Sequence, residues 1–152
     1  IMIFLLLCAA LFLFDFFLKE WIDKKYPLGE IHPLLHGHMM LEKFYNPGAA
    51  LGFLKEHPKQ MKWLHRFIML LPCTALLFLL FRGKKEERLA AYGLSLLTAG
   101  GLSNLVDRER KGHVVDYFWF PRKKRKRRII YNISDFFVFL GAFLTALGSL
   151  RK

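Results

Sequence analysis

The chain has 152 residues, 54% of them hydrophobic and 16% aromatic, and its 24 lysines and arginines outnumber 12 aspartates and glutamates. This length allows a single domain. The apolar residues are gathered into long blocks instead of recurring at the spacing of an amphipathic helix, which excludes an ordinary water-soluble domain and favours a protein that crosses a membrane several times.

Four apolar blocks are long enough to cross the hydrocarbon core of a bilayer, which is roughly 30 Å thick and needs about 20 helical residues. The predicted spans are residues 1–18, 62–81, 89–106 and 129–150 of one membrane-embedded domain, 1–152. The first block is too long for a signal peptide and lacks a cleavage site of small residues, so we expect it to remain as a helix. The predicted fold class is an all-α integral membrane protein with four transmembrane helices.

A pair of opposite charges lies at the end of the first span. Asp15 precedes Lys19 by four residues, so the two side chains share a helix face in the order that favours an ion pair. A pair that merely ends the span by reaching toward the membrane surface would have the same spacing. The sequence leaves these two roles open.

The loop of residues 20–61 mixes polar and apolar residues with turn signals, and it is long enough for a small extramembrane subdomain that could contain short strands. Its three histidines, His32, His36 and His38, have a spacing that could hold a metal ion, but three histidines alone are a weak signal. We therefore predict neither a metal site nor a cofactor.

The same loop continues with the segment NPGAALGFL. Asn46 precedes three small residues, Gly48, Ala49 and Ala50, which would let the backbone approach a ligand closely. An ordinary turn that leads into the next element would have a similar composition.

The third span ends in the segment GGLSNLVDRERKGHVVDYF. Asp107 and Arg108 follow Asn104 by three and four residues, so a carboxamide, a carboxylate and a guanidinium are predicted to converge on one helix face near the membrane surface. Such a cluster could hold its own geometry while it presents donors to a peptide. Asp116 follows after Gly112, in a short apolar run.

Seven consecutive cations, Arg122 to Arg128, separate this run from the fourth span. In that span Asn132 and Asp135 are three residues apart, and Asp135 is predicted to lie about 9 Å along the helix from Ile129, at 1.5 Å per residue. An ionised carboxylate in hydrocarbon is costly, so an acid at this depth indicates a function.

Asp116 and Asp135 could approach each other from neighbouring elements. In a partly desolvated site, each carboxyl changes the proton affinity of the other, so that one stays protonated while the other is ionised. Such a pair can activate a water molecule and protonate a leaving amine. From the residues alone, a proton relay, a cation pathway and an intramembrane hydrolase are all compatible with the pair.

Five short motifs extend from the first predicted span to the fourth. They are DFFLK (Asp15, Lys19), NPGAALGF (Asn46, Gly48), GGLSNLVDR (Asn104, Asp107, Arg108), GHVVDY (Asp116) and YNISD (Asn132, Asp135). In this order they resemble the lipoprotein signal peptidases (signal peptidase II), a family of bacterial membrane aspartyl proteases. Each motif is weak alone, whereas five in family order over nearly the whole chain are specific.

The resemblance implies a function and a set of site residues. Asp116 and Asp135 would be the catalytic pair. The residues that would bind substrate or support the site are Asp15, Lys19, Asn46, Gly48, Asn104, Asp107, Arg108 and Asn132. The family's substrate is a prolipoprotein whose cysteine carries diacylglycerol, and the cut falls just before that cysteine. No metal or cofactor is implied.

Four positions depart from the residues that are usual in the family. Leu18 replaces a common Thr, Leu51 an aromatic residue, Ser103 a Gly and Ser134 an Ala. Both serines add a hydroxyl close to the site, which concerns substrate fit and efficiency more than reaction type. The alternative function is a divergent or non-catalytic paralogue that binds anionic lipid through its basic loop.

The resemblance also places the site, with loops 20–61 and 108–128, at the extracytoplasmic face of the bacterial cytoplasmic membrane. Most lysines and arginines outside the spans then lie on that side, against the positive-inside rule. We expect anionic lipid headgroups at Arg122 to Arg128 to account for this bias, since each cation near such a surface contributes about 1 kcal/mol. Because the tract lies between two membrane spans, we do not expect it to bind nucleic acid.

Overall fold

The computed structural model describes residues 1–48, 53–121 and 128–150. Its helices and strands are α1 (Met2–Lys25), β1 (Ile31–Leu34), β2 (Met39–Asn46), α2 (Pro58–Arg82), α3 (Arg88–Lys111), β3 (Val114–Trp119) and α4 (Ile133–Ser149). The expectations for Ala49, Ala50, Leu51 and the cations at 122–127 lie outside the described residues.

Within these ranges, three helices are long and apolar enough to cross a membrane, namely α1, α2 and α3 together with the short 3-10 turn before it. α4 is apolar but has 17 residues, so the fourth transmembrane crossing stays a prediction. α1 and α3 continue past their predicted spans to Lys25 and Lys111. Hydropathy does not detect these polar ends, which pair with each other: Lys111 Nζ lies 2.8 Å from Glu20 Oε1.

A three-stranded antiparallel sheet corrects the all-α prediction. The loop after α1 supplies β1 and β2, as its mixed composition allowed, but β3 comes from the segment after α3, which was assigned to the basic loop. Gly112 lets the chain turn back from α3 into β3. Its φ of +83° is in the left-handed region, which ends the helix and reverses the chain. Pairing of Phe44 with Asp116 then brings the end of β2 beside that acid.

Two apolar clusters hold these elements together. Phe4 of α1 packs against Leu76 and Leu80 of α2 and against Leu94 of α3. The second cluster contains Ile22, Leu41, Val115 and Tyr117, and it attaches the sheet to the end of α1. The sheet is therefore fixed at the helix ends that carry the predicted site residues.

Small residues let α3 and α4 pack backbone against backbone. A Cβ added to Gly93 would lie 2.7 Å from the carbonyl oxygen of Gly141, and one added to Gly100 would lie 2.5 Å from that of Ser134. Contacts this short exclude any side chain, in agreement with the packing role expected of small residues between helices. The first turn of α4 is thereby placed directly against α3.

Candidate active site

Asn132 and Asp135 form a capping box at the start of α4. The backbone N–H of Asp135 donates to Asn132 Oδ1 at 3.1 Å, and the backbone N–H of Asn132 donates to Asp135 Oδ2 at 3.1 Å. The fourth span was expected to start at residue 129, with Asp135 well inside the helix. The helix begins at Ile133 instead, because this reciprocal cap places Asp135 in its first turn.

Asp116 lies on β3 and is buried, with 3% of its surface exposed. Asn46 Nδ2 donates to its Oδ2 at 3.0 Å, and Asn132 Nδ2 donates to its Oδ1 at 2.7 Å. Burial, with the neighbouring Asp135 carboxylate, raises the pKa of Asp116 to about 7. The Asp116 carboxyl can therefore hold a proton near neutral pH.

Two asparagines join the acids. Asn104 Nδ2 donates to Asp135 Oδ1 at 3.2 Å, while Asn132 Nδ2 donates to Asn104 Oδ1 at 3.1 Å as well as to Asp116. Asp135 is half-buried, so one member of the pair is enclosed and the other is reached more easily. Elements that are distant in the sequence, β3, α3 and α4, thus bring the two predicted acids into one amide network.

A buried charge cluster supports this network. Lys19 Nζ lies 2.9 Å from Asp15 Oδ2 and 3.4 Å from Asp107 Oδ2, and it donates to Asn104 Oδ1 at 2.6 Å. Neither Asp15 nor Lys19 has any exposed surface. Of the two roles left open for this pair, the structure shows the ion pair. Asp107 Oδ2 also accepts the backbone N–H of Val115 at 3.2 Å, which fixes the start of β3.

Ser103 and Ser134 converge on this cluster. Both hydroxyls donate to Asp15 Oδ2, one from α3 and the other from α4. In the sequence the two serines are separate departures from the family pattern, 31 residues apart. No local pattern relates residues on different helices, so only the packing of α3 against α4 reveals that they share an acceptor.

Arg108 points away from the charge cluster. Its Nη2 donates to the carbonyl oxygen of Gly48 at 2.6 Å, and its Nη1 contacts His65 Nδ1 at 3.2 Å. The prediction that Asp107 and Arg108 share one face is therefore wrong, because adjacent helical residues are about 100° apart around the axis. Nothing in the sequence marks His65, a lone histidine near the start of the predicted span 62–81, as a site residue.

A cavity of about 1190 Å³ lies beside these side chains. Its polar lining includes Asn46, Asn104, Arg108, Asp116 and Asp135. Its other walls are largely apolar and come from facing helices, with Ile68, Leu71 and Pro72 from α2 and Val138, Phe139 and Ala142 from α4. An elongated apolar ligand can therefore lie between α2 and α4 with one end at the two acids.

The histidines of the first loop do not converge. His32 Nε2 lies 3.2 Å from Glu30 Oε1, and His36 lies in the turn between β1 and β2. Among the described residues, no group of three or more His, Cys, Asp or Glu side chains is arranged to hold a metal ion.

A family model described as signal peptidase (SPase) II matches residues 7–151. The chain belongs to the signal peptidase II family. The lipoprotein signal peptidase of Ectopseudomonas mendocina is 30% identical over 148 residues, which cover 97% of this chain and 88% of that protein. The lipoprotein signal peptidase of Syntrophus aciditrophicus is 29% identical over 153 residues, which cover 100% and 94% of the two chains.

A solved bacterial membrane enzyme, determined by the in meso method at 2.3 Å resolution, has a similar fold. The TM-score is 0.81 at 24% sequence identity, over 99% of this chain and 89% of that chain. The likeness confirms a mostly helical membrane-enzyme fold. Together with membership of the signal peptidase II family, it makes this protein a protease of a bacterial membrane.

Proposed function

We propose that this signal peptidase II protein is an aspartic endopeptidase that removes signal peptides from prolipoproteins, cutting just before the diacylglyceryl-modified cysteine. The observation that carries the proposal is the joining of Asp116 and Asp135 by Asn104 and Asn132 at the polar end of a largely apolar cavity. Two carboxyls that share amide partners, one buried and the other half-buried, can divide the two tasks that peptide hydrolysis requires.

The two acids have different roles in this proposal. Asp135, the less buried of the two, takes a proton from a water molecule as its oxygen attacks the scissile carbonyl carbon. Asp116, whose raised pKa lets it hold a proton, donates that proton to the nitrogen of the leaving amine as the peptide bond breaks. The proton gained by Asp135 restores the starting state after transfer to Asp116.

The surrounding side chains favour a peptide as the ligand. Arg108 reaches the backbone of the NPG motif through Gly48 and has donors at the cavity, so it can bind carbonyl oxygens of an extended substrate. Asn46 was expected to hold the substrate backbone, but its amide donates to Asp116 and its Oδ1 accepts the N–H of Gly48 at 3.1 Å. We therefore assign Asn46 the positioning of Asp116 and of the adjacent turn.

The apolar walls favour a lipid-bearing substrate. Two acyl chains and an apolar signal-peptide helix would both be costly to place in a polar cleft, whereas the α2 and α4 walls present aliphatic and aromatic side chains. The exposed apolar side chains of α2 outside the cavity, such as Phe67 and Phe81, are suited to the surrounding hydrocarbon. A substrate that resides in the membrane can then reach the acids without leaving it.

The orientation is part of the same proposal. The sheet end of the molecule, which carries the acids, faces the extracytoplasmic side of the cytoplasmic membrane, and the basic tract binds anionic headgroups there. To test this, Cys8 and Cys73 are replaced by Ala, Lys124→Cys and Lys84→Cys are made separately, and intact cells receive a membrane-impermeant thiol reagent. Labelling at 124 and not at 84 is expected; the reverse pattern contradicts the orientation.

The decisive assay incubates purified protein with a diacylglyceryl-modified prolipoprotein and monitors the shorter product, with the unmodified prolipoprotein as a substrate control. Asp116→Asn and Asp135→Asn should each lower turnover by about 10²- to 10⁴-fold, since an amide cannot exchange the proton. Glu30→Gln is the matched control, since Glu30 is an acid just before β1 that is far more exposed. Near-normal turnover by either aspartate variant contradicts the pair, and vesicle binding without cleavage by the unaltered protein supports the lipid-binding paralogue.

A further inference from the structure

Arg108 is a buried cation whose hydrogen-bond partners are all neutral. Just 6% of its surface is exposed, yet no carboxylate among the described residues forms an ion pair with it. Its guanidinium contacts the carbonyl oxygens of Gly48 and Asn104 and the ring of His65, and its buried Nε has no partner within the described part of the chain. The nearby carboxylates of Asp116, Asp135 and Asp107 act on this charge only through space, so the guanidinium N–H groups are not taken up by carboxylate oxygens.

The contact with His65 defines the state of that ring. A guanidinium carries only donors, so Nδ1 of His65, 3.2 Å from Arg108 Nη1, must be the acceptor and the ring must be neutral. The proton of the neutral ring is then on Nε2, which faces the backbone of Gly101. His65 is thus held between the backbone of α3 and the Arg108 fork.

His65 also lies where it can affect substrate binding. It comes from α2 and lines the same cavity as Arg108, Asp116 and Asp135. A carboxylate at this place would orient the guanidinium equally well but would also neutralise it. A neutral imidazole orients the fork and leaves the charge free for the carbonyl oxygens of a bound peptide.

We propose that His65 is a positioning residue for substrate binding: its neutral Nδ1 fixes the Arg108 guanidinium toward the cavity without compensating its charge. The inference rests on the proposed function, in which Arg108 binds the substrate backbone. His65 does not take part in proton transfer, because its Nδ1 is already occupied by Arg108. Its effect should therefore appear in substrate affinity and not in the chemical step.

Two variants distinguish the role of the His65 acceptor atom from the role of its ring. His65→Phe keeps a planar ring but removes the acceptor, and it should raise KM about tenfold, as expected for one hydrogen bond to a charged group, with little change in kcat. His65→Asn retains an acceptor oxygen close to the position of Nδ1 and should recover most of the affinity. The control is Arg66→Gln, which breaks another α2–α3 contact outside the cavity, the bidentate pair with Glu109 at 2.7 and 2.6 Å.

A double-mutant cycle tests whether His65 acts through Arg108. In an Arg108→Ala background, His65→Phe should have no further effect, because the side chain that it positions is gone. If Arg108→Ala turns over too slowly for a KM, the Kd of a labelled substrate is measured with all variants in an Asp135→Asn background. Thermal unfolding in detergent identifies variants that lose affinity only through misfolding.

The proposal is overturned by an unchanged KM in His65→Phe, by His65→Asn being as impaired as His65→Phe, by additive effects in the cycle, or by Arg66→Gln reproducing the defect. These outcomes are separate from failure of the proposed function, because cleavage that persists in Asp116→Asn is a different observation and concerns the catalytic pair alone.

Discussion

On the α1 side of α3, Lys19 is fully buried and meets Asp15 at 2.9 Å and Asp107 at 3.4 Å, with Ser103 and Asn104 as further partners. On the cavity side of the same helix, Arg108 is almost as buried but has only neutral acceptors. The first cation is neutralised by two ion pairs, whereas the second lines the cavity and forms no ion pair among the described residues.

The difference separates a scaffold from a binding surface. Closed clusters of paired charges fix geometry, and breaking them mainly affects folding. A cation that lines a cavity and has only neutral hydrogen-bond partners can still attract a carbonyl oxygen of a ligand. Asn104 links the two sides, since its Oδ1 accepts from Lys19 while its Nδ2 donates to Asp135, so the scaffold orients one of the proposed catalytic acids.

The largest effect should come from breaking the closed side. Lys19→Met removes the cation and leaves Asp15 and Asp107 as buried acids without it, so the free energy of unfolding should fall by about 3–5 kcal/mol. Unfolding in detergent measures the loss, and adding Asp15→Asn should recover part of it because one unpaired charge disappears. A stability close to that of the unaltered protein would show that the cluster is not the scaffold described here.

The pKa of Asp116 should depend on the hydrogen bond that Asn46 donates to it. Activity should fall as the pH rises through about 7, because Asp116 must be protonated, and its pKa is raised to that value by burial and Asp135. The Asn46 N–H favours the ionised form, and so does the charge of Lys19. Removing that N–H in Asn46→Ala should raise the pKa further and move the alkaline limb of kcat/KM upward by roughly 0.5 to 1 on the pH scale.

The control for this pH profile is Tyr45→Phe, on the same strand. Its hydroxyl donates to Asp23 Oδ1 at 2.7 Å and does not contact Asp116. Tyr45→Phe should therefore leave the alkaline limb in place. A limb that stays fixed in Asn46→Ala, or shifts in both variants, would mean that Asp116 does not determine it.

A smaller effect is expected from the two hydroxyls on Asp15. Ser103→Ala and Ser134→Ala should each lower the free energy of unfolding by about 1 kcal/mol, the net value of a hydrogen bond. Because the two serines share Asp15 Oδ2, the double variant should differ from the sum by at least about 0.5 kcal/mol. KM should not change in either variant. Additive stabilities, or a raised KM, would place the serines outside the closed cluster.

The smallest effect should be that of a chelator. The proposed reaction uses two carboxyls to activate water and protonate the amine, so turnover in EDTA should equal turnover without it. Activity that is lost in EDTA and restored by zinc would contradict this. His32, His36 and His38 would then be the candidate zinc ligands.

Much of this molecule follows from local sequence. Long apolar blocks determine α1, α2 and α3, since a helix of about 20 apolar residues satisfies its own backbone in hydrocarbon. The five motifs identified the family that the comparison confirms over residues 7–151. The short spacing of Asn132 and Asp135 also encodes the capping box that starts α4, although the apolar residues before it suggested an earlier start.

Tertiary structure decided the rest, because it depends on contacts between residues that are far apart in the chain. Pairing of β2 with β3 makes a sheet from two separate loops and brings Asn46 to Asp116. The close packing of α3 on α4 directs Ser103 and Ser134 at one oxygen of Asp15. The packing of α2 against α3 places His65 against Arg108. The sequence does not predict this contact, because a single histidine belongs to no periodic pattern or spaced motif that would indicate its partner.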